Sequence, residues 1–140
     1  MSYDFSTVDK EIQLPSPVEA FQFSFWKPRI YIKRDDLIHP IVSGNKWRKL
    51  KGLIKWASQN DIKKWISFGG AFSNHILALS QAANWCGVDF KCFIRGEKHF
   101  IENPTMQKIR KLGTCIQFIP RHEYRSFIDS YQNDHRDTLI

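Results

Sequence analysis

The chain has 140 residues, of which 42% are apolar and 14% aromatic, so it can bury one modest core and is not disordered by composition. Lysine and arginine number 21 against 14 aspartate and glutamate residues, and a formal net charge of +7 permits an anionic ligand or nucleic acid without requiring either. With no apolar run that could span a bilayer and no leader at Met1, we expect a soluble, cytoplasmic protein without a membrane partner.

The first elements are predicted from caps and from composition. Residues 1–15 are polar and without a period, which indicates an irregular arm. Ser16-Pro17-Val18-Glu19 has the composition of a capping box, so we expect a short helix that carries Phe21. Residues 29–33 are β-branched and aromatic at their centre and indicate a strand. The acids of Arg34-Asp35-Asp36 are expected to form a turn or to pair with neighbouring cations.

A helix is predicted to open at Ser43-Gly44-Asn45-Lys46 and to run to about Ala57. Its apolar stripe has the spacing of a core-facing helix and comprises Lys46, Leu50, Leu53, Ile54 and Ala57. A lysine on that face, at the positive end of a helix, is disfavoured as a cation by desolvation and by the macrodipole. The neutral amine is the form that makes a Schiff base or acts as a general base, so Lys46 is a candidate catalytic residue. The alternative is a lysine that lays its stem on the core and reaches solvent at the helix end.

After Asn60 strands and helices alternate regularly. Strands are predicted over 64–68, 90–94 and 114–119, and helices over 75–86 and 105–112, with a further helix that carries Tyr124, Phe127, Ile128 and Tyr131 on one face. Asn103 and Pro104 are expected to cap and begin the second of these helices. This order predicts an α/β fold with a parallel open sheet and helices on both faces. The last residues, 134–140, lack a finishing cap, which suggests an incomplete architecture.

A tight loop over Gly69–Asn74 is predicted between a strand and a helix. Ligands of parallel sheets bind at this edge, and two glycines, Ser73, Asn74 and the free N–H groups of the helix would suit a carboxylate or phosphate. The spacing matches neither a dinucleotide fingerprint nor a P-loop. The alternative is that Ser73 or Asn74 only caps the helix. His75 could carry protons by its position, or could simply be a surface residue.

The other candidate features are weaker. Cys86, Cys92 and Cys115 are odd in number and without C-x-x-C spacing, so we expect three reduced, buried thiols and no metal site. Metal-ligand spacing is also missing around the four other histidines, His39, His99, His122 and His135. The basic helix between Trp47 and Trp56 could bind RNA through Arg48, Lys49 and Lys51, which would make the chain a non-enzymatic binding module. A solvated helix face with packed aromatic side chains is the preferred interpretation.

Three motifs in this order resemble a known family. They are Ile32-Lys33-Arg34-Asp35-Asp36-Leu37, Ser43-Gly44-Asn45-Lys46-Trp47-Arg48-Lys49-Leu50 and Gly69-Gly70-Ala71-Phe72-Ser73-Asn74-His75. Together they resemble the pyridoxal-phosphate enzymes 1-aminocyclopropane-1-carboxylate deaminase and D-cysteine desulfhydrase, which have the tryptophan-synthase-β-like fold (fold type II). The similarity extends from about Leu14 to Ile119.

The resemblance implies a role for each motif residue. Lys46 would bond to the cofactor aldehyde and Asn74 would hydrogen-bond the cofactor's phenolic oxygen. Ser73, Asn74 and His75 would hold the substrate carboxylate, and Ser73 would assist proton transfer. Residues 1–45 would be an arm and strand of a large domain, and residues 46–140 the lysine helix and an incomplete small domain.

The expected activity is release of ammonia and a 2-oxo acid from a small amino acid, by a homodimer in the full-length protein and without nucleic acid. Family members are more than twice as long as this chain. Their loop that binds the cofactor phosphate follows the part that matches residues up to Ile140. His75 stands where the deaminases often carry Gln. A desulfhydrase-like elimination is therefore as compatible with this sequence as ring opening of the cyclopropane. The isolated chain is expected to be nearly inactive.

Overall fold

The computed structural model describes residues 5–134, with side chains described through residue 131. His135 and most of the uncapped C-terminal segment therefore lie outside the described residues. The strands are β1 (Val18–Phe21), β2 (Ile30–Lys33), β3 (Lys64–Gly70), β4 (Asp89–Arg95) and β5 (Cys115–Ile119). The α-helices are α1 (Phe5–Lys10), α2 (Asn45–Gln59), α3 (Asn74–Cys86), α4 (Pro104–Lys111) and α5 (Tyr124–Asp134). Two 3-10 helices lie at Asp35–Leu37 and Lys98–Glu102.

The predicted parallel sheet is confirmed and has the order β3-β4-β5. Both pairs of strands are parallel, with Gly70 beside Arg95 and Arg95 beside Ile119 at the carboxyl end. A helix follows each strand of this sheet and returns the chain to the end of the sheet where the next parallel strand begins. Loops that leave the three strands therefore gather at one end of the sheet.

Helices cover both faces of this sheet, as predicted. On one face Trp65, Cys92 and Ile94 belong to the large buried cluster that also contains the apolar stripe of α3. On the opposite face the rings of Phe93 and Tyr131, from β4 and α5, lie 4.9 Å apart between centroids. Side chains alternate between the faces along a strand, which explains why β4 is buried on both.

Helix α3 follows the local signals of its sequence closely. Its predicted stripe of Ile76, Leu79, Ala83 and Cys86 is buried. The helix ends at Gly87, whose left-handed φ of 63° suits a residue without Cβ. The predicted cap of α4 is also confirmed, because the side chain of Asn103 accepts a hydrogen bond from the Met106 amide and Pro104 begins the helix.

The predictions for the N-terminal region are partly wrong. The expected helix after Ser16 is instead strand β1, which pairs antiparallel with β2. Ser16 does not cap a helix because its hydroxyl donates to Asp35 Oδ1 at 2.6 Å and accepts from Lys33 Nζ. The expected irregular arm contains the short helix α1, which buries Val8 in the main cluster.

The β1–β2 hairpin exposes many large apolar side chains. Phe25 is 84% exposed at its tip and Tyr31 is 64% exposed on β2. A small two-stranded sheet without a covering layer cannot bury both its faces, so these side chains remain in solvent. Within residues 5–134, most of the exposed large apolar side chains lie on this hairpin.

The predicted apolar stripe of α2 is confirmed at Leu50, Ile54 and Ala57, but its first member is wrong. Its buried residues are Trp47, Leu50, Ile54 and Ala57, so Trp47 rather than Lys46 is the first member of the stripe. Lys46 is half-buried at the flank of that stripe. Trp47 is the larger apolar side chain and stacks on Phe5 of α1, which fixes the rotation of the helix. The helix also ends later than predicted, at Gln59.

The three cysteines are free thiols, but only two are buried as predicted. Burial raises the pKa of Cys86 and of Cys92 to about 12, which keeps both thiols protonated and unreactive at neutral pH. Cys115 is exposed, contrary to prediction, because it begins the outer strand β5. Among residues 5–134 there is no group of three metal-ligating side chains and no helix with the length and apolarity of a membrane span.

Gly69 provides a stability test of the contact between β3 and α3. A Cβ at Gly69 would lie 2.6 Å from Ile76 Cγ1, whereas a Cβ at the neighbouring Gly70 would meet nothing within 4 Å. We expect Gly69→Ala to lower the free energy of unfolding by about 1–3 kcal/mol through overpacking. Gly70→Ala is the matched control and should change it little. Urea denaturation measures both, and equal losses for the two variants would contradict the packing argument.

Candidate active site

A cleft of about 350 Å³ opens where the start of α2 meets the start of α3. We call it the lysine cleft, and its lining includes Asp36, Ser43, Gly44, Lys46, Asn74 and Leu77. Two of the predicted site residues, Lys46 and Asn74, therefore border the same space although 28 positions separate them (74 − 46). Their chemical roles stay predictions.

The backbone before Lys46 makes a sharp turn that requires glycine. Gly44 has φ 55° and ψ −130°, a conformation that side chains with Cβ rarely adopt. Its amide donates to Asp35 O at 2.8 Å, and the Lys46 amide donates to Ser43 O at 3.1 Å. The ammonium group of Lys46 donates to Asn45 Oδ1 at 3.1 Å, on the exposed side of the turn. The lysine thus stands at the cleft edge, with one amide oxygen as its neighbour.

Asp35 ties the start of α2 to the hairpin. Its carboxylate accepts from Arg48 Nε at 2.7 Å and from Arg48 Nη2 at 2.9 Å. These two bonds, and that from Ser16, hold the pKa of Asp35 well below its usual range. Asp36 pairs in turn with Arg34 at 2.7 Å, which lowers the pKa of Asp36. The predicted pairing of these acids with neighbouring cations is confirmed, but the sequence did not indicate that Arg48 would be the partner of Asp35.

The loop between β3 and α3 is shorter than predicted. Gly69 and Gly70 belong to β3, and Asn74 begins α3. Ser73 Oγ accepts from the Ile76 amide at 3.3 Å, so the capping role that the sequence left open for Ser73 is confirmed. Ser73 lines a second cavity, at the carboxyl ends of the parallel strands.

His75 sits in the first turn of α3. Its Nε2 lies 3.4 Å from the hydroxyl of Ser67, a buried residue of β3. Partial burial, and then the charges of Lys46 and Lys49, lower the pKa of His75. The ring is therefore neutral at pH 7, while its outer surface stays exposed.

Asn103 and Tyr124, which the sequence did not single out for the site, hold this loop in place. The Asn103 amide donates to Ala71 O at 3.2 Å and to Phe100 O at 2.8 Å, in addition to its capping bond. Tyr124, from α5, donates its hydroxyl to Gly69 O at 3.2 Å. These contacts join positions 32 and 55 residues apart, and no local pattern would have revealed them.

His39 organises the segment that leads to Lys46. Its Nδ1 accepts from the amides of Ile41 and Val42 at 3.0 and 2.9 Å, and its ring packs edge-on against Trp85. Burial lowers the pKa of His39, and the weaker effect of Glu11 opposes this. Only the neutral ring can accept the two amide bonds. Residue spacing does not reveal this role, because the two bonds join the His39 ring to backbone amides and not to other side chains.

Comparison with solved structures identifies the fold class of the chain, and comparison with curated sequences identifies relatives within that class. No family model matches the chain. The fold resembles O-acetylserine dependent cystathionine beta-synthase from Helicobacter pylori, with a TM-score of 0.62, 20% identity, and coverage of 96% of this chain and 45% of that one. It also resembles O-ureido-L-serine synthase, with a TM-score of 0.65, 16% identity, and coverage of 95% and 42%. The chain thus has part of the tryptophan-synthase-β-like fold of pyridoxal-phosphate enzymes, as the sequence predicted.

Curated relatives narrow this class. The chain is 30% identical over 120 residues to the mitochondrial bifunctional D-cysteine desulfhydrase/1-aminocyclopropane-1-carboxylate deaminase of Arabidopsis thaliana, with coverage of 81% of this chain and 30% of the relative. It is 40% identical over 96 residues to a protein of Thermotoga maritima named as a candidate 1-aminocyclopropane-1-carboxylate deaminase, with coverage of 68% and 30%.

The chain is therefore homologous to the 1-aminocyclopropane-1-carboxylate deaminase and D-cysteine desulfhydrase enzymes, which confirms the family that its motifs resemble. These relatives are pyridoxal-phosphate enzymes. The chain spans about 30% of the length of the curated relatives just described.

The His39 contacts predict a pH dependence of stability. Because its pKa is lowered on folding, His39 contributes stability that is present above the ordinary value of about 6.5 and is lost as the pH falls through the lower folded value. Between pH 7 and pH 5 we expect the free energy of unfolding to fall less steeply in His39→Ala than in the wild type. His75 acts with the same sign, so part of the slope should remain.

Exposed His99 provides the matched control for His39. His99→Ala should keep the wild-type slope when unfolding is followed by urea denaturation at several pH values. Parallel curves for His39→Ala and His99→Ala would show that the two amide bonds to the His39 ring do not contribute to this pH dependence.

Proposed function

We propose that this chain forms the lysine-bearing part of a pyridoxal-phosphate-dependent deaminase or lyase. The substrate would be a small amino acid, of the 1-aminocyclopropane-1-carboxylate or D-cysteine type, and the products ammonia and a 2-oxo acid, with sulfide where the substrate carries it. The observation that carries the proposal is the position of Lys46 and Asn74 on one cleft, at the ends of two different helices. Homology to enzymes named for these two activities supports the substrate class.

The lining of the lysine cleft fits the cofactor chemically. Lys46 offers a primary amine at the cleft edge, where it could bond to the cofactor aldehyde. Asn74 offers an amide that could donate to the phenolic oxygen. Asp36 also borders the cleft, but its carboxylate is engaged by Arg34 and does not compete for the lysine. When bound, the pyridine ring of pyridoxal phosphate withdraws electrons from the α-carbon of the substrate.

The start of α3 would hold the substrate carboxylate. The first N–H groups of a helix lack partners within it, and the helix dipole favours an anion there. Ser73, Asn74 and His75 stand at this position. Ser73 Oγ accepts the bond from Ile76, which leaves its own hydroxyl hydrogen to donate during proton transfer. The lowered pKa of His75 keeps a second positive charge away from the lysine.

Lys46 would move protons at the α-carbon once its amine is free. Its stem is half-buried at the flank of α2, while the turn at Gly44 fixes where the side chain leaves the backbone. A lysine held at one edge of the cleft would deliver a proton to one face of the substrate, which would make proton transfer specific to that face.

Catalysis is proposed for the whole protein, because this chain spans about 30% of the length of the relatives described above. The isolated chain is expected to give little or no 2-oxo acid from either substrate. Homodimer formation by the full-length protein and a cytoplasmic location stay predictions. The Arabidopsis relative is named as mitochondrial.

Reductive labelling tests the cofactor proposal directly. Pyridoxal phosphate is added to the purified chain, borohydride reduces any Schiff base, and peptide mass spectrometry locates the added mass. We expect the label to concentrate at Lys46 over the exposed Lys49 and Lys55 of the same helix. Asn74→Ala should lower labelling of Lys46 by about tenfold, since a hydrogen bond to a charged or strongly polar group contributes about 1.5 kcal/mol.

Asn84, exposed at the far end of α3, provides the matched control for Asn74. Asn84→Ala should label as the wild type does. A label spread over the exposed lysines, with no effect of Asn74→Ala, would refute the proposed cofactor site in this chain.

The RNA-binding alternative predicts a different result, namely binding that falls steeply with salt and depends on Arg48, Lys49 and Lys51. The Trp47 side chain is not available to stack on RNA, because it is 2% exposed and packs in the core. Arg48 is also engaged by Asp35, and Lys51 by Asp9 at 3.1 Å. A fluorescence titration with single-stranded RNA at two salt concentrations distinguishes this alternative from the enzyme.

A further inference from the structure

The second cavity has a volume of about 330 Å³ and lies at the carboxyl ends of the three parallel strands. We call it the arginine cavity. Its lining includes Gly70, Ala71, Ser73, Arg95, Phe100 and Arg121. Nothing in the proposed handling of the cofactor uses the two arginines, so the cavity requires an explanation of its own.

Strand register explains why the two arginines meet. Arg95 ends β4, directly beside Ile119 of β5, and Arg121 follows Ile119 by two positions. Neighbouring strands lie about 4.8 Å apart, so two guanidinium groups on adjacent strand ends can reach one small ligand. Gly70, which pairs with Arg95 from the other side, completes the row.

The charge of this cavity is not neutralised by the residues around it. No carboxylate is among its lining residues. Within residues 5–131, neither Arg95 nor Arg121 makes an ion pair or a side-chain hydrogen bond, whereas Arg34 and Arg48 each bind a carboxylate. Arg95 lies over the ring of Tyr124 at 6.0 Å, a contact that orients the guanidinium and leaves its N–H donors available.

The walls of the cavity are apolar and held in place. Phe72 and Phe100 meet edge-to-face, with centroids 6.1 Å apart, and form an apolar part of the cavity lining. Ala71, the residue before Phe72, accepts a hydrogen bond from Asn103, which holds the turn in place. A pocket that is held in place before binding lowers the entropy cost of binding.

We infer that the arginine cavity binds a small oxyanion, with Arg95 and Arg121 as its ligands. Guanidinium groups match the geometry of carboxylate and phosphate oxygens, and two of them would balance a dianion. The oxyanion could be free in solution or could be the acidic side group of an amino acid. The inference does not depend on the proposed cofactor, because all its ligands belong to this chain.

Calorimetric titration of the purified chain with inorganic phosphate tests the site. Arg95→Gln and Arg121→Gln should each weaken binding by tenfold or more, because each removes charge-assisted hydrogen bonds. Arg110→Gln is the matched control, since it removes the same charge from an exposed position of α4 and should leave the affinity within about twofold. Circular dichroism verifies that all three variants fold.

Undetectable binding to the wild type would overturn the inference. It would also be overturned if the three variants weakened binding equally, because the net charge of +7 and not the cavity would then attract the anion. A second titration compares O-phosphoserine with serine. Binding of O-phosphoserine that is tighter than that of phosphate and is lost in Arg95→Gln supports an amino-acid ligand, whereas equal affinities support a free anion.

Discussion

The contact between Gly69 and Ile76 is the constraint on which the rest of the site depends. Because Gly69 has no side chain, the first turn of α3 lies directly on the last residues of β3. That close approach determines where Ser73, Asn74 and His75 stand, since they are the cap and the first two residues of the same helix. It also affects both cavities, because Ser73 lines one and Asn74 lines the other. Backbone packing therefore positions the polar residues together with the hydrogen bonds that Ala71 and Gly69 accept from Asn103 and Tyr124.

A second constraint acts on the lysine side of the cleft. Asp35 receives bonds from Ser16 and Arg48, and its backbone oxygen receives the amide of Gly44. One residue thereby joins the hairpin, the turn before Lys46 and the first turn of α2. The position of Lys46 depends on residues on both sides of it in the sequence, so the Ile32-to-Leu37 motif belongs to the same structural unit as the lysine motif.

Local signals predicted those parts of the fold whose causes are local. The stripe and C-cap of α3 and the cap of α4 were predicted because the residues that make them are adjacent in sequence. The N-terminal prediction was wrong because the Ser16 hydroxyl binds residues that are 17 and 19 positions away. The placement of Lys46 on the buried stripe of α2 was also wrong, because packing of Trp47 against Phe5 of α1 makes Trp47 the first buried residue of the helix. The motifs predicted candidate site residues, of which Lys46 and Asn74 border one cleft, and their roles stay predictions. The contacts from Asn103 and Tyr124 come from elements that no motif connects with the loop.

Asn103 shows what such a contact means for the variation that the sequence can tolerate. As a helix cap, asparagine can be exchanged with serine, threonine or aspartate at little cost. Here its amide nitrogen also donates to Ala71 and Phe100, and none of those three side chains in its usual ionisation state offers two N–H donors. A substitution that preserves α4 would therefore still release the turn between the two cavities. Position 103 is restricted more by the loop after β3 than by the helix that it caps.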